Sequence, residues 1–175
     1  MALASELCCF FQDSGQETVS ASALVQARYK LSHTAFDQLL HLAGELFYQS
    51  VQARRWKGFR LLGVDGTRLR LPDRPPLKEG ESAENELFPY YQAGPGGQSP
   101  VRQGMASMLM DVLNFLPLDA QMGPCKGKGT GERNLLGQHL KSGILGQGDL
   151  LLGDGGYPSY GLIHQLLALD CHFLF

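Results

Sequence analysis

The sequence lacks the features that would commit it to a membrane, a disulfide scaffold or a common nucleotide or hydrolase site. No uninterrupted apolar stretch approaches the roughly 20 residues that cross a bilayer as a helix. The N-terminus has neither a basic lead nor a long apolar run, so no secretory signal is expected. The four cysteines, at 8, 9, 125 and 171, form no CxxC pair. That argues against structural zinc and a disulfide framework, and it fits a reducing compartment. Five histidines include no HExxH. Gly127-Lys128 has no glycine five residues before Gly127, which excludes a phosphate-binding P-loop, and no serine sits in a GxSxG elbow. Charge is sparse at 18%, with a net of −2, so the chain is no nonspecific polycation.

What remains is a chain of 175 residues that is 43% hydrophobic, enough for one full-sized folded domain or a small module plus most of a second. The low net charge conceals local patterning. Between Val51 and Arg74 the basic residues Arg54, Arg55, Lys57, Arg60, Arg68, Arg70 and Arg74 outnumber Asp65 and Asp73 by five. Glu79, Glu81, Glu84 and Glu86 follow at once, and a second basic stretch runs from Lys126 to Lys141. The basic segments are either solvated loops and strand edges or, where they meet on one face, a polyanion-binding surface.

Ser20 predicts a helix cap with a helix through about Tyr29, and Ser32 caps a second. In the second, Ala35, Phe36, Leu39, Leu40, Ala43, Leu46 and Phe47 follow helical spacing and define its expected buried face. The pair is either a helix-turn-helix or an ordinary α-hairpin. Phe59–Val64 and Thr67–Leu71 read as two strands joined by a tight Asp65-Gly66 turn. Asp73 to Gly97, with four prolines, reads as a loop. Met105–Val112 and Pro117–Met122 read as a second strand pair, and Glu132 to about Lys141 as a helix. A short buried strand over Asp149–Gly153, a helix opened by Pro158 and a strand over Cys171–Phe175 complete the order. Strand pairs followed by αβαβ imply a mixed sheet with helices packed on it. The apolar final strand, with no closing helix or polar tail, suggests a truncated product or a fragment of a longer protein.

Two aspartates stand out. Asp65 and Asp154 each follow an apolar strand and each precede glycine, which lets a ligand come close. Carboxylates delivered by adjacent strands could share hard divalent cations such as Mg²⁺, and two such ions roughly 4 Å apart can serve an in-line phosphoryl displacement. Equally, Asp-Gly is a turn dipeptide and an aspartate at a strand end often caps the next element. The histidines share no spacing and read as surface or core residues. Cys8-Cys9 reads as packing, and Tyr90-Tyr91 either stack on bases or anchor their loop.

The aspartate segments carry a family resemblance. Gly63-Val64-Asp65-Gly66-Thr67 with Arg70-Leu71-Pro72-Asp73, and Gly153-Asp154-Gly155-Gly156-Tyr157-Pro158-Ser159-Tyr160, resemble the first and second catalytic blocks of bacterial insertion-sequence transposases of the DDE type. The nearest group is the one with an insertion before its final glutamate. Ser22-Ala23-Leu24-Val25-Gln26-Ala27-Arg28-Tyr29-Lys30-Leu31 is similar to that family's N-terminal helix, and Leu118–Pro124 to a strand of its middle hairpin.

The resemblance implies an α/β fold with an RNase H-like mixed sheet core, here incomplete, preceded by a small helical region. It divides the chain into a helical, DNA-binding region over 1–52 and a partial catalytic domain over 53–175. Asp65 and Asp154 match the first two catalytic acids, which with a later glutamate hold two Mg²⁺ (or Mn²⁺) ions. In that family the ions activate water to nick the element's end and then the freed 3′-hydroxyl to attack target DNA. Arg28, Arg54, Arg55, Lys57 and Arg60 are the expected DNA contacts. Implied partners are double-stranded DNA, as terminal inverted repeats and target, and a second copy in a synaptic complex, with no membrane. The implied location is the bacterial cytoplasm, at the nucleoid. The family's third acid belongs to a tyrosine–arginine–glutamate–lysine signature that this chain does not contain, and Glu132 precedes the second aspartate and does not match it. The expectation is therefore a truncated DDE transposase, inactive alone. The alternatives are a DNA-binding remnant without catalysis and the unstable product of a degraded reading frame.

Overall fold

The computed structural model describes residues 9–15, 19–28, 30–72, 88–91, 100–127 and 129–175. The acidic cluster Glu79–Glu86, Tyr29, Cys8 and Lys128 lie outside them. The chain divides into two compact units, Met1–Leu39 and Leu40–Phe175. In the first, helix α1 (Ala21–Arg28) is capped as expected, with Ser20 Oγ accepting from the Ala23 amide at 3.1 Å. Ser32 Oγ likewise accepts from the Thr34 amide, at the start of α2 (Thr34–Ser50). No helix among the described residues is long and apolar enough to cross a membrane.

The second unit is built on one mixed sheet. Its strands are β1 (Arg60–Arg70), β2 (Tyr90–Tyr91), β3 (Val101–Asp111), β4 (Leu116–Pro124), β5 (Asp149–Leu152) and β6 (His172–Leu174). β1, β3 and β4 form an antiparallel meander, while β5 and then β6 run parallel to β1 on its other side. The spatial order is thus β4-β3-β1-β5-β6, with the two-residue β2 added at the start of β3. Helices α3 (Glu132–Lys141) and α4 (Tyr160–Ala168) lead into the two parallel strands. This is a mixed sheet with helices leading into its parallel strands, as the order of elements implied.

The expected Asp65-Gly66 hairpin does not form. β1 is one unbroken strand of 11 residues, and both Asp65 and Gly66 sit in its middle, opposite Met108 and Ser107 of β3. A two-residue turn would have paired the flanking segments with each other. The long β3 instead pairs with both, and nine consecutive register pairs outweigh the local preference of one dipeptide.

Alternation along the strands separates two faces of the sheet. Leu62 and Val64 of β1, Leu109 of β3 and Leu151 of β5 are buried and meet Leu136 of α3 and Leu166 of α4. On the opposite face Asp65 and Met108 are exposed. The C-terminal part of α2 also lies on the core face, but not by its expected leucine stripe. Gly44 is buried against Leu118, His41 Nε2 is 3.1 Å from Asp119 Oδ1, and the Tyr48 hydroxyl donates to Asp111 Oδ2 at 2.7 Å. Leu39, Leu42 and Leu46 are exposed. Buried carboxylates at Asp111 and Asp119 need donors, and that requirement rotates the helix.

Asp119 is the hub of the buried polar set. His139 Nδ1 lies 2.7 Å from its Oδ2, Gln121 donates to both oxygens, and His139 Nε2 lies 3.1 Å from Ser107 Oγ. Burial alone would raise the Asp119 pKa. The hydrogen bonds from His139, Gln121 and His41 override it and hold the carboxyl at about 2, below an ordinary 3.8. A depressed native pKa adds stability above the unfolded value, and that stability is lost as pH falls through the native one. Asp119→Asn is therefore expected to cost about 2 kcal/mol at pH 7 and to flatten the acid limb between about pH 4 and pH 2. Urea titrations at pH 7 and acid titrations followed by circular dichroism measure both effects.

Candidate functional site

The parallel pairing of β1 with β5 places the two aspartates. Arg60 is the register partner of Asp149, and the pairs run to Gly63 and Leu152, where β5 stops. Asp65 lies five residues beyond Arg60 and Asp154 five beyond Asp149, so both stand at one level just past the last paired residues. An ion pair locks this register. Arg60 Nε and Nη2 donate to the two Asp149 oxygens at 2.8 and 2.7 Å, and Nη2 also reaches the Ile144 carbonyl at 2.6 Å.

Asp65 and Asp154 consequently line one cavity of about 560 Å³, walled by Gly63, Val64, Met108, Met110, Val112, Leu152 and Gly153. Each is exposed, and each has one oxygen engaged locally. Asp65 Oδ1 accepts from the Gly66 amide and Asp154 Oδ1 from the Gly156 amide, both at 2.8 Å. Neither is ion-paired with a basic side chain among the described residues. Two carboxylates facing one cavity with an oxygen each to spare suit a hard divalent cation. Among the described residues no three His, Cys, Asp or Glu side chains stand close enough together to hold a metal ion.

Two neighbours escape a reading of the sequence alone. Glu132, half-buried at the start of α3, covers Gly66 so closely that a Cβ there would lie 2.6 Å from its Cγ. Tyr157 is wholly buried, and among the described residues its hydroxyl makes no hydrogen bond of good geometry, with Ser107 the hydroxyl beside it. Burial, followed by the negative charges of Glu132, Asp65 and Asp154, pushes the Tyr157 hydroxyl up to about 12. The only sequence signal for Glu132 is the glycine beside Asp65, which marks close approach without saying of what.

The basic candidates divide. Arg54, Arg55 and Lys57 are exposed in the segment before β1. That segment is pinned to the β3–β4 turn, where the Arg54 amide donates to Asn114 Oδ1 and Asn114 Nδ2 to the Arg54 carbonyl. Asn114 is two residues from Val112 of the cavity wall. Lys57 Nζ lies 4.8 Å from the Trp56 ring centroid. Arg60 is committed to Asp149 within the fold. Arg28 ends α1 in the first unit. Tyr91 anchors its segment, pairing with Val101 and lying under Lys126.

No family model matches the chain. Across 146 residues, 83% of its length, it is 30% identical to the transposase InsG for insertion sequence element IS4 of Escherichia coli (strain K12). Over most of its own length the chain is thus similar to an IS4 transposase. It spans 30% of that curated relative's length. A solved Mos1 transposase paired-end complex with left transposon end aligns with 99% of the chain and 58% of its own, at a TM-score of 0.37 and 10% identity.

The packing of Glu132 over Gly66 is open to direct test. Gly66→Ala is expected to cost about 1–3 kcal/mol, because the added methyl must displace Glu132 or the strand. Combining it with Glu132→Ala, which removes the obstructing Cγ, should recover most of that loss. Urea unfolding of both single variants and the double variant measures the coupling.

Proposed function

We propose that this chain takes part in DNA transposition, as the portion of an IS4-type transposase whose Asp65 and Asp154 hold divalent cation, Mg²⁺ or Mn²⁺, for DNA strand cleavage and transfer. The observation that carries the reading is the placement of these two aspartates at one level of adjacent parallel strands, lining one cavity without a basic partner among the described residues. Cation bound there supplies a water or 3′-hydroxyl with a lowered pKa and neutralises charge developing on the scissile phosphate. The amides of Gly66 and Gly156 orient the two carboxylates by occupying one oxygen of each. Residues 53–175 form the catalytic part in this reading, and 1–52 a helical part that contacts the terminal inverted repeats through Arg28. Arg54, Arg55 and Lys57 contact DNA phosphates, while Arg60 positions β5. Two copies would bring the two element ends together.

Isothermal titration with Mn²⁺ tests the metal reading. Asp65→Asn and Asp154→Asn are each expected to weaken binding by about tenfold or more, with unfolding midpoints preserved. Affinities equal to that of the unsubstituted chain would contradict the assignment. A second reading, DNA binding without metal chemistry, is favoured by the absence of a three-ligand group among the described residues. The two readings share one expectation, a salt-dependent affinity for duplex ends. Gel shifts across a salt series read that slope. Changing Arg54, Arg55 and Lys57 to alanine should make it shallower by about one for each phosphate left without its cation. An unaltered slope would remove these residues from the DNA surface.

A further inference from the structure

We infer that Arg68, Arg70 and Lys126 form a second DNA-contacting surface at the opposite end of β1 from Arg54, Arg55 and Lys57, and that one duplex lying along β1 spans both. The inference rests on the DNA reading proposed above and adds to it three residues to which that reading gives no part. It does not depend on the metal.

The two basic stretches of the sequence meet at this end of the sheet. Alternation along β1 puts Arg68 and Arg70 on the same face as Leu62 and Val64, but the strand is buried at the two apolar residues and exposed from Thr67 to Arg70. Arg70 pairs with Gln103 of β3. On the other side of β3, Tyr91 pairs with Val101, and β4 ends at Pro124 opposite Gly104, two residues before Lys126. Lys126 is exposed, with its Nζ 5.5 Å from the Tyr91 ring centroid, and the Tyr91 hydroxyl donates to its carbonyl at 3.4 Å. One strand therefore separates Arg70 from Lys126, a distance of about 10 Å at the usual strand spacing.

The fold makes no use of these charges. Other arginines of the sheet are spent within it: Arg60 closes on Asp149, and Arg102 donates to the carbonyls of Phe88 and Pro72. Arg68 and Arg70 have no side-chain hydrogen bond or ion pair among the described residues. Two residues apart on a strand, they stand about 7 Å from each other. Cations spread out in this way suit a run of phosphates better than one enclosed anion, and the tyrosine beneath Lys126 adds the aromatic surface common at nucleic-acid interfaces. The length of β1 sets the span. Its 11 residues cover about 33 Å, close to ten base pairs of duplex at about 3.4 Å each. Asp65 stands at the middle of the strand, so a duplex held at both ends passes its level.

Gel shifts of the full chain across a salt series test this, using a duplex of about 20 base pairs and a hairpin stem of about six, which at about 20 Å reaches one surface at a time. The unsubstituted chain is expected to show a steeper salt slope on the long duplex than on the stem. Changing Arg68, Arg70 and Lys126 together to glutamine, with the urea midpoint measured, should make the long-duplex slope shallower by about one for each phosphate left without its cation. An unaltered slope overturns the inference, and self-association of the variant would then mark Arg68 and Arg70 as charges that guard the free edge of β1. Equal slopes on the two lengths for the unsubstituted chain overturn it as well, because no single duplex then spans both surfaces. If changing Arg54, Arg55 and Lys57 flattens the slope and changing Arg68, Arg70 and Lys126 does not, the DNA reading stands without this surface. If the unsubstituted chain retains no DNA at low salt, both fail.

Discussion

The ion pair between Arg60 and Asp149 sets the geometry on which the rest of the site depends. Parallel strands have no hairpin to dictate their alignment, so their register must come from side chains and packing. Here a two-pronged guanidinium–carboxylate contact joins the first residue of β1 to the first of β5, and the Gly146 amide and Ile144 carbonyl complete the hydrogen bonding on either side. Removing one partner of such a pair leaves a largely buried charge uncompensated, at a cost of about 3–5 kcal/mol. A slip of one residue would also carry Asp154 away from the level of Asp65 and turn the leucines of β5 to the wrong face. Arg60, which the resemblance groups with the DNA contacts, is engaged within the fold, where its pairing with Asp149 aligns the strands that carry the two aspartates.

The end of β5 at Leu152 is the second determinant. A longer β5 would cover the edge of β1 and close the space between Asp65 and Asp154. Gly153 lets the chain leave the strand there. A Cβ at that position would lie 2.9 Å from the Phe175 ring and 3.0 Å from Tyr157, so the turn is packed tightly from beneath. The fold supplies an open strand edge lined by Asp65 and Asp154, held by a core in which Asp119, His139 and Ser107 satisfy one another.

Much of this is legible in the residues. The caps at Ser20 and Ser32, the α3 and α4 segments, the β3–β4 pair and the short buried strand before Asp154 all follow from local spacing. The two aspartates stand out because each combines an apolar run with an adjoining glycine. Asp65-Gly66 reads wrongly as a turn because a dipeptide preference carries no information about a partner strand more than 40 residues away. The buried face of α2 differs from its leucine stripe because helical periodicity counts leucines, while His41 and Tyr48 are drawn inward by carboxylates of other elements. Glu132 is passed over for its order in the chain. Only the fold shows that its side chain occupies the room left by Gly66.

The most direct test of the account is a crystal of the chain grown with Mn²⁺ and measured for anomalous scattering. The account predicts a peak between the Asp65 and Asp154 carboxylates, at the edge of β1 beyond Gly63. Manganese held elsewhere on the chain, with that edge empty, would contradict it.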